Sequence, residues 1–180
     1  METATRYLTE KLKLKVNQEK SAVDNPWNRK FLGFTFTKGR YPNQIAVHES
    51  RTKRMKDKIR GITKRMRGNN LEYSISEFLM PIIRGWANYF GLAEERRVFE
   101  RLDGWIRRKI RDTLWRQWKK PKTRVKRFVA LGIKECDANY AAYSSKGAWR
   151  NACTQTMHRA VSNLRIEKMG YIPLCKLTHR

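Results

Sequence analysis

Six residues, Phe99, Leu102, Ile106, Ile110, Leu114 and Trp118, recur at steps of three and four along the chain. That spacing puts them on one stripe of a long helix, and a stripe of this length must be covered by other elements. Two more segments make the same demand. Met55, Ile59, Ile62 and Met66 form a narrow stripe on a helix reaching about Arg67, where Gly68-Asn69-Asn70 ends it. Phe78, Leu79, Ile82, Ile83, Trp86 and Phe90 form a wider one, opened by a capping-box pattern at Ser74-Ile75-Ser76-Glu77 and stopped at Gly91. Pro81 lies inside it and predicts a kink or a delayed start. Glu94 and Glu95 suit the positive start of the third helix, and Pro121 ends it. Three amphipathic helices with short links predict a bundle.

The flanking segments read differently. Tyr7, Leu8 and Leu12 predict a short helix over residues 3–13, after which Leu12, Leu14 and Val16 alternate with Lys13 and Lys15 as a strand would. Residues 17–20 read as a turn or strand edge, and Asp24-Asn25-Pro26 as a breaker. Leu32, Phe34 and Phe36 predict a half-buried strand, residues 38–43 a turn, and Ile45-Ala46-Val47 the partner strand. Residues 119–127 hold six basic residues and read as a linker lying on phosphate. After it come a short helix around Val125–Leu131, a loop over 136–147, a helix from about Trp149 to Glu167 and a tail. The fold class is α+β, mainly α: a small N-terminal helix with an antiparallel hairpin over 1–50, a three-helix bundle over 51–120 and a basic helical segment over 121–180.

Forty-one Lys and Arg face 16 Asp and Glu, and such an imbalance points to a polyanionic partner. Forty per cent of the residues are apolar, six of them Trp, enough to bury a core, so the charge does not signal disorder. No apolar run approaches the roughly 20 residues that span a bilayer, and the N-terminus lacks a signal-type apolar core. No membrane partner is therefore expected. Cys136, Cys153 and Cys175 form no C-x-x-C pair, which argues against zinc and for reduced thiols in a cytoplasmic setting. Phosphodiester chemistry needs carboxylates gathered around Mg2+. Glu94-Glu95 and Glu135-x-Asp137 are the close pairs, and neither has supporting context, so the residues argue for binding rather than catalysis, with no cofactor on this chain.

The candidate binding residues follow the charge. The first helix offers Lys53, Arg54, Lys58, Arg60, Lys64, Arg65 and Arg67. Arg84 sits on the second, and Arg107, Arg108 and Arg111 on the third. Lys119, Lys120, Lys122, Arg124, Lys126 and Arg127 follow, then Lys146, Trp149 and Arg150. Together they are expected to form one continuous basic track. Trp105, Trp115, Trp118 and Trp149 are interleaved with cations and are candidates to stack on unpaired bases. Trp86, Trp105 and Trp118 read better as core, and Trp149 as the exposed one.

Several blocks resemble the reverse transcriptases encoded by group II introns. Arg84-Gly85-Trp86-Ala87-Asn88-Tyr89-Phe90, Leu102-Asp103-Gly104-Trp105-Ile106-Arg107-Arg108 and Trp115-Arg116-Gln117-Trp118-Lys119 are similar to that family's thumb, or maturase-specific, helices. Asn17-Gln18-Glu19-Lys20-Ser21 resembles the N-x-x-K-[ST] block at the end of the palm, which implies that Lys20 lies near a nucleotide's phosphates. Phe31-Leu32-Gly33-Phe34 resembles the primer-grip hairpin. Ser145–Arg150 and Ala160–Leu164 resemble the segment after the thumb. The family's Tyr-Ala-Asp-Asp motif is not in these 180 residues, nor is a His-Asn-His module.

The resemblance implies a palm edge, a thumb and a maturase region that bind group II intron RNA and assist its folding and splicing, with no polymerase activity from this chain alone. It implies Mg2+ only in an intact polymerase. An alternative is the C-terminal part of an RNA-directed DNA polymerase completed by a separate N-terminal polypeptide, with a DNA target or RNA–DNA duplex as further partner. A second alternative is a generic basic RNA-binding protein.

Overall fold

The computed structural model describes residues 2–17, 24–38 and 42–178. A first helix, α1 (Glu2–Glu10), is followed by a 3-10 turn at Pro26–Asn28 and a hairpin of β1 (Phe34–Phe36) and β2 (Ile45–Val47). Then come α2 (Glu49–Arg65), α3 (Leu71–Ser74), α4 (Met80–Phe90) and α5 (Arg97–Gln117). The C-terminal part holds α6 (Pro121–Ala130), α7 (Glu135–Ala142), α8 (Ala148–Asn151), α9 (Gln155–Ala160), α10 (Asn163–Lys168) and α11 (Leu174–Leu177). The class is α+β, mainly α, as the sequence predicts.

Helix α5 is the axis. Every residue of its predicted stripe is buried, and Asp103, Arg111, Asp112 and Thr113 are buried too, because α2, α8, α10 and α11 pack around it on several sides. Met55, Ile59 and Met66 of the α2 stripe join this core, with Ile62 half-buried. The α4 stripe contributes Leu79, Ile83 and Phe90, whereas Phe78 is exposed and meets Tyr73 edge-on instead of entering the core.

The start of this helical run differs from the capping-box expectation. Asn70 is the cap, its side chain accepting from the backbone N–H groups of Glu72 and Tyr73 at 2.9 and 3.3 Å. Ser74 is inside the helix and returns its hydroxyl to Asn70 O at 2.8 Å. Ahead of Pro81 the backbone widens into a π-helical turn at Ile75–Leu79, the Met80 N–H reaching Ile75 O. Proline lacks an N–H and its ring crowds the preceding turn, and the wider turn accommodates both faults without ending the helix.

Strands β1 and β2 pair antiparallel with Phe34 opposite Val47, Thr35 opposite Ala46 and Phe36 opposite Ile45. Leu32 and Gly33, read from sequence as strand, form instead a tight turn closed by mutual backbone bonds between Phe31 and Phe34. Both central residues have positive φ, 52° and 95°, which glycine accepts freely and leucine does not. The hairpin is docked on the α4 end: Phe34 stacks on Tyr89 at 5.9 Å and packs against Phe90 at 5.2 Å, and the Tyr89 hydroxyl donates to Leu32 O at 2.8 Å. Glu94 and Glu95 precede α5 rather than opening it. The Glu94 carboxylate accepts from Ile45 N–H at 2.9 Å, and its own N–H donates to Ile45 O at 2.8 Å, clamping β2 to the α4–α5 connection.

Four further expectations are corrected. Residues 12–17 form no strand. Pro121 begins α6 instead of preceding a linker, since its fixed φ suits a first helical position. The loop over 136–147 contains α7, and the long helix after Trp149 is three short ones, restarted where Thr154 and Ser162 cap α9 and α10 with their hydroxyls. The end of the chain is held by buried Asp103, which accepts from the N–H groups of Leu174 and Cys175 at 2.8 and 3.1 Å and from the Tyr171 hydroxyl. Burial and the adjacent Asp103 push the Tyr171 phenol well up, and burial with the same carboxylate raises the Cys175 thiol to about 11.

Candidate nucleic-acid interface

The stripe that buries α2 also divides its cations. Arg51, Arg54 and Lys58 flank a groove toward α4, while Lys56 and Arg60 lie on the flank facing α5. Lys56 Nζ stands 5.8 Å, and the Arg60 guanidinium 5.4 Å, from the centre of the Trp105 ring. That indole is 6.4 Å from Trp149 on α8, and the Trp149 ring carries the Arg108 guanidinium 4.0 Å above it. Arg108 is fixed there because its Nε and Nη2 both donate to Trp149 O, at 3.2 and 2.9 Å. Both rings are half-buried. Cations over indole faces gain from the ring quadrupole and hold their charge near the surface.

Next to this pair of indoles, the ends of α2 and α5 meet the segment before α8 around a pocket of about 660 Å3. Arg67, Arg116, Lys119, Arg124 and Lys146 line it, with Gly68, Gly147, Ala148 and Trp115, and no carboxylate is among the lining residues. Buried Asp112 stands behind one of them, accepting from Arg116 Nε at 3.1 Å and from Lys109 Nζ at 3.0 Å. It thereby sets the direction of Arg116. Arg124 is held by dipoles: it donates to the carbonyls of Trp118, Ala142 and Lys119 and lies 4.4 Å over the Trp115 ring. Burial lowers its pKa from the usual arginine value, the cost of a cation sheltered from water. Such a pocket has a positive field that an anion relieves.

The other candidate residues are distributed unevenly. Lys53, Lys64, Arg65, Arg84, Lys122, Lys126, Arg127 and Arg150 are exposed on the helices that carry them, and Lys120 is exposed just ahead of α6. Arg111 is not a surface residue. It is 2% exposed, its Nε donates to Val161 O at 2.8 Å and its Nη2 to Asn163 Oδ1 at 2.9 Å. Burial, with repulsion from Arg107, lowers its pKa to about 10. Arg107 and Arg108 diverge, as neighbours on a helix must: Arg108 joins Trp149, whereas Arg107 lies close enough to Tyr171 and Cys175 to act on both electrostatically. Cations of α2 stand on both of its flanks, Arg51, Arg54 and Lys58 toward α4 and Lys56 and Arg60 toward α5. Trp115 and Trp118 are core, Trp118 and Trp115 both packing on Phe128, so Trp115 is withdrawn as a stacking candidate. Phe31 and Leu32 are exposed, Gly33 is buried and Phe34 half-buried; Lys20 lies outside the described residues.

Sequence reasoning placed Arg51, Lys56 and Arg116 within the basic stretches 51–67 and 105–127 without singling them out. Their signal was available in the four-residue spacing of Lys56 to Arg60 and of Asp112 to Arg116. Sequence reasoning missed Tyr140, 89% exposed on α7, and Tyr143, 60% exposed just past its end, because that segment reads as loop. Among the described residues no group of three His, Cys, Asp or Glu side chains is placed to hold a metal, and no helix is long and apolar enough to cross a membrane.

Fold and surface together describe a class: a helical domain whose exterior is arranged to meet a polyanion. Comparison shows what part of the chain is similar to. Residues 52–131, from the first turn of α2 to the end of α6, match the family model of the group II intron maturase-specific domain. This stretch is similar to the maturase-specific domain of group II introns, which supports a maturase role in intron splicing. No curated protein matches the chain.

Proposed function

We propose that the protein binds group II intron RNA through the face built from Lys56, Arg60, Trp105, Arg108 and Trp149 and the adjoining carboxylate-free pocket. It favours the RNA's splicing-competent fold by neutralising phosphates that would otherwise keep RNA helices apart, and bond-making stays with the RNA. The observation that carries this reading is the pocket itself, where five cations from separate segments converge without a lining carboxylate. This reading invokes no cofactor on this chain and takes a cytoplasmic setting, which the unpaired spacing of Cys136, Cys153 and Cys175 favours. The test compares binding to a group II intron RNA and to a size-matched structured RNA across a salt series. Tighter binding to the intron with a steep salt slope supports the reading. Equal affinity for both RNAs refutes intron recognition and returns the protein to general RNA binding.

A second reading has its own observation. Phe31, Leu32, Phe36, Ile45 and Leu92 are exposed around an almost wholly apolar cleft of about 380 Å3. Apolar surface of this kind favours a protein neighbour. Here that neighbour would be a separate N-terminal reverse-transcriptase polypeptide, with an RNA–DNA duplex or DNA target bound by the assembled pair. Co-purification of the chain with such a polypeptide, lost on Phe31→Asp with Leu92→Asp, tests it; retention by the double variant refutes it.

A further inference from the structure

The groove on the opposite flank of α2 is not part of the face described above. It holds about 530 Å3 and runs between α2 and α4. Pro81, Ile82 and Met55 give it an apolar lining, Trp86 and Tyr89 an aromatic one, and Arg51, Arg54 and Lys58 its cations, with no carboxylate among its lining residues. The aromatic walls are fixed in advance. Trp86 packs on Phe90 at 4.7 Å and edge-on to Phe99 at 5.7 Å, and Tyr89 is held by Phe34 and by its bond to Leu32 O. Arg51 is ordered without being satisfied. It passes close over Gly33, where a Cβ would come within 2.7 Å of its Nε, and that Nε is buried with no hydrogen-bond partner. A buried donor left unpaired is costly and calls for an acceptor.

Gly85 points the same way. It stands inside α4 and lines the groove, and a glycine within a helix weakens it relative to alanine. Packing gives no reason for it, because a Cβ there would meet nothing within 4 Å. What a side chain at this position would do is fill the groove.

We infer that this groove takes one unpaired nucleotide of the bound RNA, its base against Trp86, Tyr89 and the Pro81–Ile82 floor and its phosphate on Arg51, Arg54 and Lys58. The volume falls in the range of about 300–1,000 Å3 typical of sites for molecules of this size. A base offers a face to an aromatic wall only when it leaves the stack, so the ligand is a bulged or looped nucleotide and not a duplex. The inference rests on the reading that the chain binds RNA.

The experiment uses the full chain, a fully paired RNA stem, the same stem with one bulged nucleotide, and the variant Gly85→Leu. The wild type is expected to bind the bulged stem at least about tenfold more tightly than the paired one, the discrimination of a single stacked base. Gly85→Leu should abolish that preference, leave paired-stem affinity unchanged and keep or raise thermal stability. A preference that survives Gly85→Leu, or a wild type that binds both stems equally, overturns the inference while leaving RNA binding intact. Failure to bind either stem instead overturns the broader reading. Free adenosine monophosphate, tested by thermal shift, is the remaining arm: stabilisation lost in Gly85→Leu would make this a site for free nucleotide and overturn the assignment to RNA.

Discussion

Arg111 offers a test of whether a basic residue in this chain serves the fold or the ligand. Its charge sits 2% exposed, donating to Val161 O and Asn163 Oδ1. Removing it has opposing consequences. The guanidinium's desolvation cost and its repulsion from Arg107 disappear together; a fall from 12.5 to about 10 corresponds to about 3 kcal/mol for the two combined. Against this, two hydrogen bonds to a charged donor, worth about 1.5–3 kcal/mol each, are lost. Asn163 is exposed and can turn to water, but Val161 is fully buried, so its carbonyl is left without this partner. Truncation to alanine adds a cavity in place of a large buried side chain. The net for Arg111→Ala is a loss of about 2–4 kcal/mol, a large part of the stability of a domain this size. Arg111→Met keeps most of the volume and should lose about 1–2 kcal/mol. Urea denaturation measures both, and a salt series of RNA affinity measured on the folded variants gives the second readout. The slope should match the wild type, because a buried guanidinium displaces no counterion from RNA. Stability within about 0.5 kcal/mol of wild type, together with a flatter slope, would refute the burial argument.

The remaining expectations are simpler. Replacing Arg67, Lys119 and Lys146 by alanine should lower the magnitude of the salt slope by about two to three units and leave the fold intact, measured by filter binding and circular dichroism; an unchanged slope would place the phosphates elsewhere. Iodoacetamide at about pH 8 should modify exposed Cys136 and Cys153 well before Cys175, whose thiol is raised from 9.0 to about 11 and so has about a hundredfold less thiolate; equal labelling by mass spectrometry would contradict this. Slight sheltering of an otherwise exposed ring, with Arg111 nearby, lowers the His158 pKa below 6.5, so the unfolded chain takes up that proton first and stability falls modestly with acidification through the imidazole range. His158→Gln should lose less stability than wild type between about pH 7 and 5, and identical losses would remove His158 as the cause.

The core was legible in the residues because periodicity is a local property. Phe99 to Trp118, Met55 to Met66 and the Phe34–Phe36 and Ile45–Val47 pair were all readable, and in the three long helix stripes Ile62, Ile82 and Trp86 are half-buried, Phe78 is exposed and the rest are buried. Breaks after Trp149 were harder to read, since Thr154 and Ser162 look like ordinary helix residues until a bend makes them caps. The binding residues were legible as a set and not as an arrangement.

Sequence by itself determined the helical stripes, the large positive charge and the family resemblance, because these depend on spacing and count along one chain. Tertiary structure alone decided the sense of each charge. Whether an arginine meets solvent, an indole or a buried carbonyl depends on which helix lies beside it. So Arg108 was placed on Trp149, Arg111 was enclosed, Arg51 was left with an unpaired donor, and the cations of α2 were divided between its two sides. The physical reason is that a long cationic side chain is cheap to expose and costly to bury unpaired, so packing and not composition settles its role.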